Sequence, residues 1–360
     1  MQFKILDLFC GAGGFSCGLD MVENFSTEVA LDFEPKAIET FQKNFPNTTC
    51  ICGDITNKET KNRIIDISKQ KNVNMIIGGP PCQGFSSKGK KLGLNDPRNF
   101  LFLEYIDIVN QLKPEIFIIE NVKNMLSTVN GYFLQQIYDK FSEIGYTLNH
   151  SIVKASNFGV PQNRERTIII GTLNSHGITV PIQNNMPKTT VRDAISDLAY
   201  LNSGEGDFES EYQITPQSQY QEFIRNGSQK LYNHKATEHS QLAIDKLKLI
   251  PPEGDKSSMP KELLGKQQFK CTWSRLIWDK PSPTIDTRFD TPSNGRNSHP
   301  ELHRAITPRE AARIQSFPDT FIFYGNKVAI HKQIGNAVPP LLAKALGEHI
   351  KNEFEVINNE

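Results

Sequence analysis

Between residue 3 and about residue 171, short apolar runs alternate with amphipathic stretches, and few folds accommodate that pattern. "FKILDLF", "TEVALDF", "NTTCICGDI", "VNMIIGG" and "PEIFIIENV" have the length and branched apolar content of strands. "GGFSCGLDMV", "EPKAIETFQKNF", "NRIIDISKQ" and "NFLFLEYIDIVNQLK" suit helices. A strand–helix–strand series argues a parallel sheet covered by helices on both faces. "TLNHSIVKAS" and "RERTIIIGT" follow as two strands close enough to pair antiparallel. The expected class is α/β: a mixed sheet, mostly parallel with one antiparallel strand, beside a smaller loop-rich domain.

The regularity fails after about residue 175. "ITVPIQNNMPKTT", "LNSGEGDFESEYQITPQSQYQEF" and "IPPEGDKSSMPKELLGKQQ" are polar, rich in Pro, Gly, Ser and Gln, and aperiodic. Pattern returns at "TPREAARIQSF", with Thr307 as N-cap and Pro308 at the first helical position, and "VPPLLAKALGEHIKN" closes the chain as an amphipathic helix.

Forty basic and forty acidic residues give no net charge, which leaves a local basic face possible. No apolar run is long enough to span a membrane. The six cysteines form no CxxC pair, so neither a zinc site nor a disulfide framework is expected, and five of them read as small core residues in a reducing cytoplasm.

Four stretches carry chemistry. "DLFCGAGGFSCGL" is a glycine turn between strand and helix, with Ser16 at the third glycine position of a dinucleotide fingerprint. Asp32 ends the next strand about 20 residues on, where a ribose hydroxyl is held. Together they point to an adenosine-containing cofactor or to a merely tight turn. Asp54 suits an adenine amino group, or a helix N-cap near Asn57; Phe33 suits stacking on adenine, or the core.

"GGPPCQGFSSKGKK" fixes Cys82 behind two prolines at a strand end and follows it with a basic, glycine-containing run. Cys82 is either an inert buried thiol or a nucleophile, and the run either a solvated loop or one that closes on a phosphate backbone. In "IIENV", Glu120 follows four apolar residues and would face Cys82 if the two strand ends are neighbours; it could instead sit as a charge at a helix start. In "QNRERTIIIG", Gln162, Arg164 and Arg166 would share one face of an extended segment, gripping a carbonyl, a phosphate or Glu120, or lying on a solvated edge.

In this order, and with "TPREAARIQSFP" and "QIGNAVPPLL" after them, these motifs resemble the C5-cytosine DNA methyltransferases of bacterial restriction–modification systems. The resemblance spans the chain except about residues 175 to 270. It implies a Rossmann-like methyltransferase fold using S-adenosylmethionine, no metal, and a cytosine flipped out of double-stranded DNA. Catalytic roles fall on Cys82, Glu120, Arg164 and Arg166. Asp7, Phe9, Gly11, Gly13, Gly14, Asp32, Phe33, Asp54, Ile55, Pro80, Leu101, Asn336 and Val338 would form the cofactor site. Gln83, Ser86, Lys88, Lys90, Lys91, Arg98 and Gln162 would meet DNA.

The resemblance also implies a discontinuous catalytic domain, 1–175 with 305–360, and a target-recognition domain, 176–304, with its variable core at about 180–270. Arg225, Lys230, Lys235, Lys266 and Lys270 are candidates there for phosphate or base contacts. A monomer acting beside an endonuclease of the same specificity, in the nucleoid of a bacterial cytoplasm, is expected. An RNA cytosine methyltransferase on the same scaffold, a non-catalytic DNA-binding relative and an NAD-type oxidoreductase are the competing readings.

Overall fold

The structure, a computed structural model, describes residues 1–81, 100–125, 132–173, 177–181, 187–264 and 271–357. The chain forms two compact units: Met1–Lys154, Glu165–Asn184 and Pro340–Glu360 make the first, and Ala155–Arg164 with Asn185–Pro339 make the second.

In the first unit the alternation becomes β1 (Phe3–Leu8), α1 (Gly14–Leu19), β2 (Phe25–Asp32), α2 (Pro35–Asn44), β3 (Thr49–Cys52), α3 (Lys58–Gln70), β4 (Met75–Gly78), α4 (Phe100–Leu112), β5 (Ile116–Val122), α5 (Tyr132–Glu143), β6 (Tyr146–Lys154) and β7 (Glu165–Leu173). The sheet order is β3-β2-β1-β4-β5-β7-β6. Every neighbouring pair is parallel except those of β7, which runs antiparallel to both β5 and β6, as expected. The order reverses between β1 and β4, and in open α/β sheets ligands bind at the strand ends there.

Helix α5 went unread in the sequence. Its buried Phe133, Ile137 and Phe141 pack on the sheet, and Phe141 stacks on Phe117 with centroids 4.2 Å apart. Gly171 gives that stack its room, since any Cβ there would collide with the Phe117 ring.

The second unit contains α6 (Val191–Ile195), β8 (Glu209–Ser210), α7 (Gln219–Arg225), β9 (Leu231–Tyr232), α8 (Gln241–Lys248), α9 (Lys261–Leu264), α10 (Pro308–Ile314) and α11 (Lys327–Asn336), while α12 (Pro340–Ile357) belongs to the first. Thr307 caps α10 in a reciprocal box with Glu310, and Pro308 opens the helix. Residues 305–339 thus group with the second unit and not with the sheet, contrary to the expected boundary. Buried arginines explain it. Arg313 pairs with Asp197 and Asp319, Arg309 donates to the Tyr232 carbonyl, and Arg304 pairs with Glu310 and donates to the Leu201 carbonyl. A buried guanidinium stripped of these partners would cost several kcal/mol, so α10 stays with the segments that supply them.

In the first unit, α12 lies against α1 so closely that a side chain at Gly18 would collide with the Pro340 carbonyl. Among the described residues no helix is long and apolar enough to cross a membrane.

Candidate active site

The turn leaving β1 is built from alternating backbone handedness. Phe9, Gly11 and Gly13 have φ of 59°, 53° and 97°. Phe9 tolerates that conformation because the next N–H, of Cys10, is held by the Leu31 carbonyl. Gly13 must be glycine: a Cβ would come 2.7 Å from the Phe45 ring and 2.8 Å from Phe41. At Gly11 a Cβ would meet nothing within 4 Å, so the half-exposed backbone there borders open space.

Asp32 joins this turn to the end of β2. One of its oxygens accepts the Gly11 N–H at 2.9 Å and the other the Glu34 N–H at 2.9 Å. Burial raises its pKa, and those two bonds oppose the rise. Phe33, next along, is 71% exposed, a large ring with its surface free for stacking. An open glycine backbone, an acceptor pair and an exposed aromatic fit the adenosine and amino-acid parts of S-adenosylmethionine.

Below the turn, Asp7 is buried and accepts the Ser16 hydroxyl at 2.6 Å. Burial pushes its carboxyl up to about 8, with Asp32 and Asp20 adding to the rise and Ser16 opposing it. Ser16, which breaks the glycine fingerprint, is therefore the partner of a buried acid, and Gly14 is the buried first residue of α1.

The β4 and β5 ends lie side by side, with Gly78 paired to Ile119. Glu120 is buried and ion-paired with Arg166 of β7, Nε to Oε1 at 2.8 Å. A Cβ on Gly79 would stand 3.3 Å from the other carboxyl oxygen, so glycine keeps that face uncrowded. Asn121 Nδ2 donates to the Pro80 carbonyl at 2.8 Å and ties the two strand ends together. Cys82 lies outside the described residues, two positions beyond Pro80, as do Gln83, Ser86, Lys88, Lys90, Lys91 and Arg98.

The three-residue grip expected of "QNRER" divides. Strand β7 starts at Glu165, so residues 162 to 164 do not continue its alternating face. Arg166 reaches Glu120. Arg164 is buried in the second unit and donates to the Ile285 and Gly335 carbonyls. Gln162 is fully buried, accepting the Ile285 N–H at 2.9 Å and donating to Gln315 at 2.9 Å, so its amide serves the protein and not DNA.

The other expected residues are placed as follows. Asn57, not Asp54, caps α3; Asp54 is exposed and accepts from Thr56 instead. Ile55 is core, Leu101 packs half-buried beside that core, Val338 is buried and Asn336 is exposed. Cys52 and Cys271 are exposed rather than core. Arg225 is held by Asp197 and stacked 4.0 Å over Tyr212, which removes it as a DNA contact. Lys230 pairs with Glu209, Lys235 is exposed, and Lys266 and Lys270 lie outside the described residues.

The sequence matches the C-5 cytosine-specific DNA methylase family over residues 3–352. The chain belongs to that family. It is 36% identical to the type II methyltransferase M.DdeI of Desulfomicrobium norvegicum, covering 99% of this chain and 90% of the relative. It is 35% identical to M1.HphI of Haemophilus parahaemolyticus, covering 97% and 87%. A solved E. coli protein, prophage-encoded and named as a DNA modification methyltransferase, superposes with a TM-score of 0.77 at 26% identity over 98% of this chain and 99% of that one. As a family member this methylase transfers the methyl group of S-adenosylmethionine to carbon 5 of cytosine in DNA.

Proposed function

We propose that the methylase acts on a cytosine rotated out of a specific duplex site, through a covalent bond between Cys82 and carbon 6. The observation that carries this reading is the Glu120–Arg166 pair at the β5 end, beside the β4 end that leads into Cys82. Cytosine is a weak electrophile, so addition of the thiolate needs the charge that builds on the ring to be met. Glu120 meets it at N3, and Arg166 holds the carboxyl in place through Nε while its Nη1 donates to the Glu165 carbonyl, which leaves Nη2 to reach the neighbouring carbonyl oxygen of the ring. S-adenosylmethionine, when bound, supplies an electrophilic methyl group. Gly11, Asp32 and Phe33 hold it, with Phe9, Asp54 and Pro80 nearby in sequence to the same strand ends, and Asn336 assigned by resemblance. Loss of the C5 proton to a base then expels the Cys82 sulfur and restores the ring.

The second compact unit reads the DNA sequence, and the protein protects its host's DNA as a monomeric type II enzyme beside an endonuclease of the same specificity. The names of its relatives support that role.

A duplex carrying 5-fluorocytosine tests the mechanism. Wild type should form an adduct stable to detergent, and Cys82→Ala should not. Methylation of ordinary duplex DNA by Cys82→Ala would sink the covalent route, and transfer to tRNA in preference to duplex DNA would move the substrate to RNA. Bisulfite sequencing of DNA from an expressing host gives the site.

A further inference from the structure

The β4–β5 ladder pairs Gly78 with Ile119. The same register carried two residues further sets Pro80 beside Asn121. A backbone ladder cannot continue there, because neither Pro80 nor Pro81 has an N–H. The Asn121 side chain takes its place. Its Nδ2 donates to the Pro80 carbonyl at 2.8 Å, and its Oδ1 accepts the Val122 N–H at 2.8 Å, so turning the amide over would lose both bonds. The residue is 6% exposed, and the next position, Val122, stands opposite Arg166 in the β7 register.

We propose that Asn121 is a positioning residue of the methylation reaction, setting the Gly79–Pro81 segment against the Glu120–Arg166 pair. The proposal rests on the reading that this pair and Cys82 form the reacting centre. Asn121 touches no reacting atom; it acts through Pro80. Its amide is the donor that the prolines lack, and reacting groups displaced by about 1 Å can lose about 100-fold in rate.

The test uses Asn121→Ala and Asn121→Asp in the full-length enzyme. The aspartate is nearly isosteric. Ionised, it faces the Pro80 carbonyl with an acceptor; protonated, it donates again. The ionisable groups around it are Glu120 on its own strand, Arg166 and Glu165 on β7, and Lys123, which pairs with Glu165; residues 75–81 of the β4 side bring none. The readout is the single-turnover rate of adduct formation on a 5-fluorocytosine duplex, at saturating DNA and cofactor, between pH 8.5 and 6. Cofactor Kd, DNA Kd and melting temperature are measured alongside.

Asn121→Ala is expected to slow the adduct step about 100-fold at every pH, with both Kd values within about twofold of wild type. Asn121→Asp should be as slow at pH 8.5 and regain about tenfold relative to wild type by pH 6, the worth of one recovered hydrogen bond. An alanine variant within about threefold of wild type would overturn the proposal, and so would an aspartate variant whose deficit is the same at all pH. Adduct formation by Cys82→Ala would refute the underlying reading instead, and the proposal with it.

Discussion

Glu310→Gln offers a quantitative test of what holds the second unit together. Glu310 accepts from two Arg304 nitrogens at 2.8 Å each and from the Thr307 N–H at 2.8 Å, all buried. Burial by itself would raise its pKa. The Arg304 guanidinium overcomes that and holds the carboxyl at about 2, against 4.5 for a free side chain. A folded pKa below the unfolded one stabilises fully above the unfolded value and is lost as pH falls through the folded one. The gap from 4.5 to about 2, at ~1.4 kcal/mol per pH unit, comes to about 3 kcal/mol.

Glutamine keeps the shape and an acceptor for Thr307 but leaves Arg304 without a counter-charge. Urea unfolding followed by tryptophan fluorescence reads the right region, since both tryptophans, Trp273 and Trp278, lie in the second unit. The variant should lose about 3 kcal/mol at pH 7, and the deficit should fall to about half by pH 3. A deficit under about 1 kcal/mol at pH 7, or one unchanged down to pH 3, would refute the reasoning.

Three further outcomes are expected. Asp7→Asn should stabilise the first unit, by an amount that grows from pH 4 to pH 8. The wild-type carboxyl, raised to about 8, resists ionisation in the folded state and so takes stability away as pH rises; a flat difference across that range would count against it. Phe33→Ala should weaken cofactor binding about fivefold in calorimetry, for a stack worth about 1 kcal/mol, with no change in melting temperature because the ring is exposed. Arg166→Lys should lower kcat about 100-fold with cofactor Kd unchanged, because an ammonium cannot hold Glu120 and reach a second acceptor in one plane; a change confined to KM would contradict the role.

The elements most legible in the sequence were those whose signals are local. The five parallel strands, the glycine turn and the Thr307–Pro308 start each depend on residues within a few positions of one another. Helix α5 was missed because the sequence "STVNG" just before its apolar face carries no helical period, and α11 because Gly335 and a run of polar residues blur its period. The "QNRER" spacing suggested one shared face, but strand geometry begins only at Glu165, and what draws Gln162 and Arg164 elsewhere are backbone groups more than 100 positions away, the Ile285 N–H for Gln162 and the Ile285 and Gly335 carbonyls for Arg164. Asn121 could have been found from two facts, the parallel register of β4 with β5 and the absence of N–H on two prolines, but the first of these is not written in either strand alone.

Hydrophobic periodicity and turn chemistry, read along the chain, determined the α/β class, the order of the elements and the residue types able to carry methyl transfer. Tertiary structure decided which of those residues meet. Glu120 finds Arg166 because β7 is inserted antiparallel beside β5, and Arg313 finds Asp197 because α10 packs on α6. The periodic pattern reports only which face of an element is buried. Register between elements is set by long-range packing and by the partners that buried charges demand, and no local stretch of sequence contains that information.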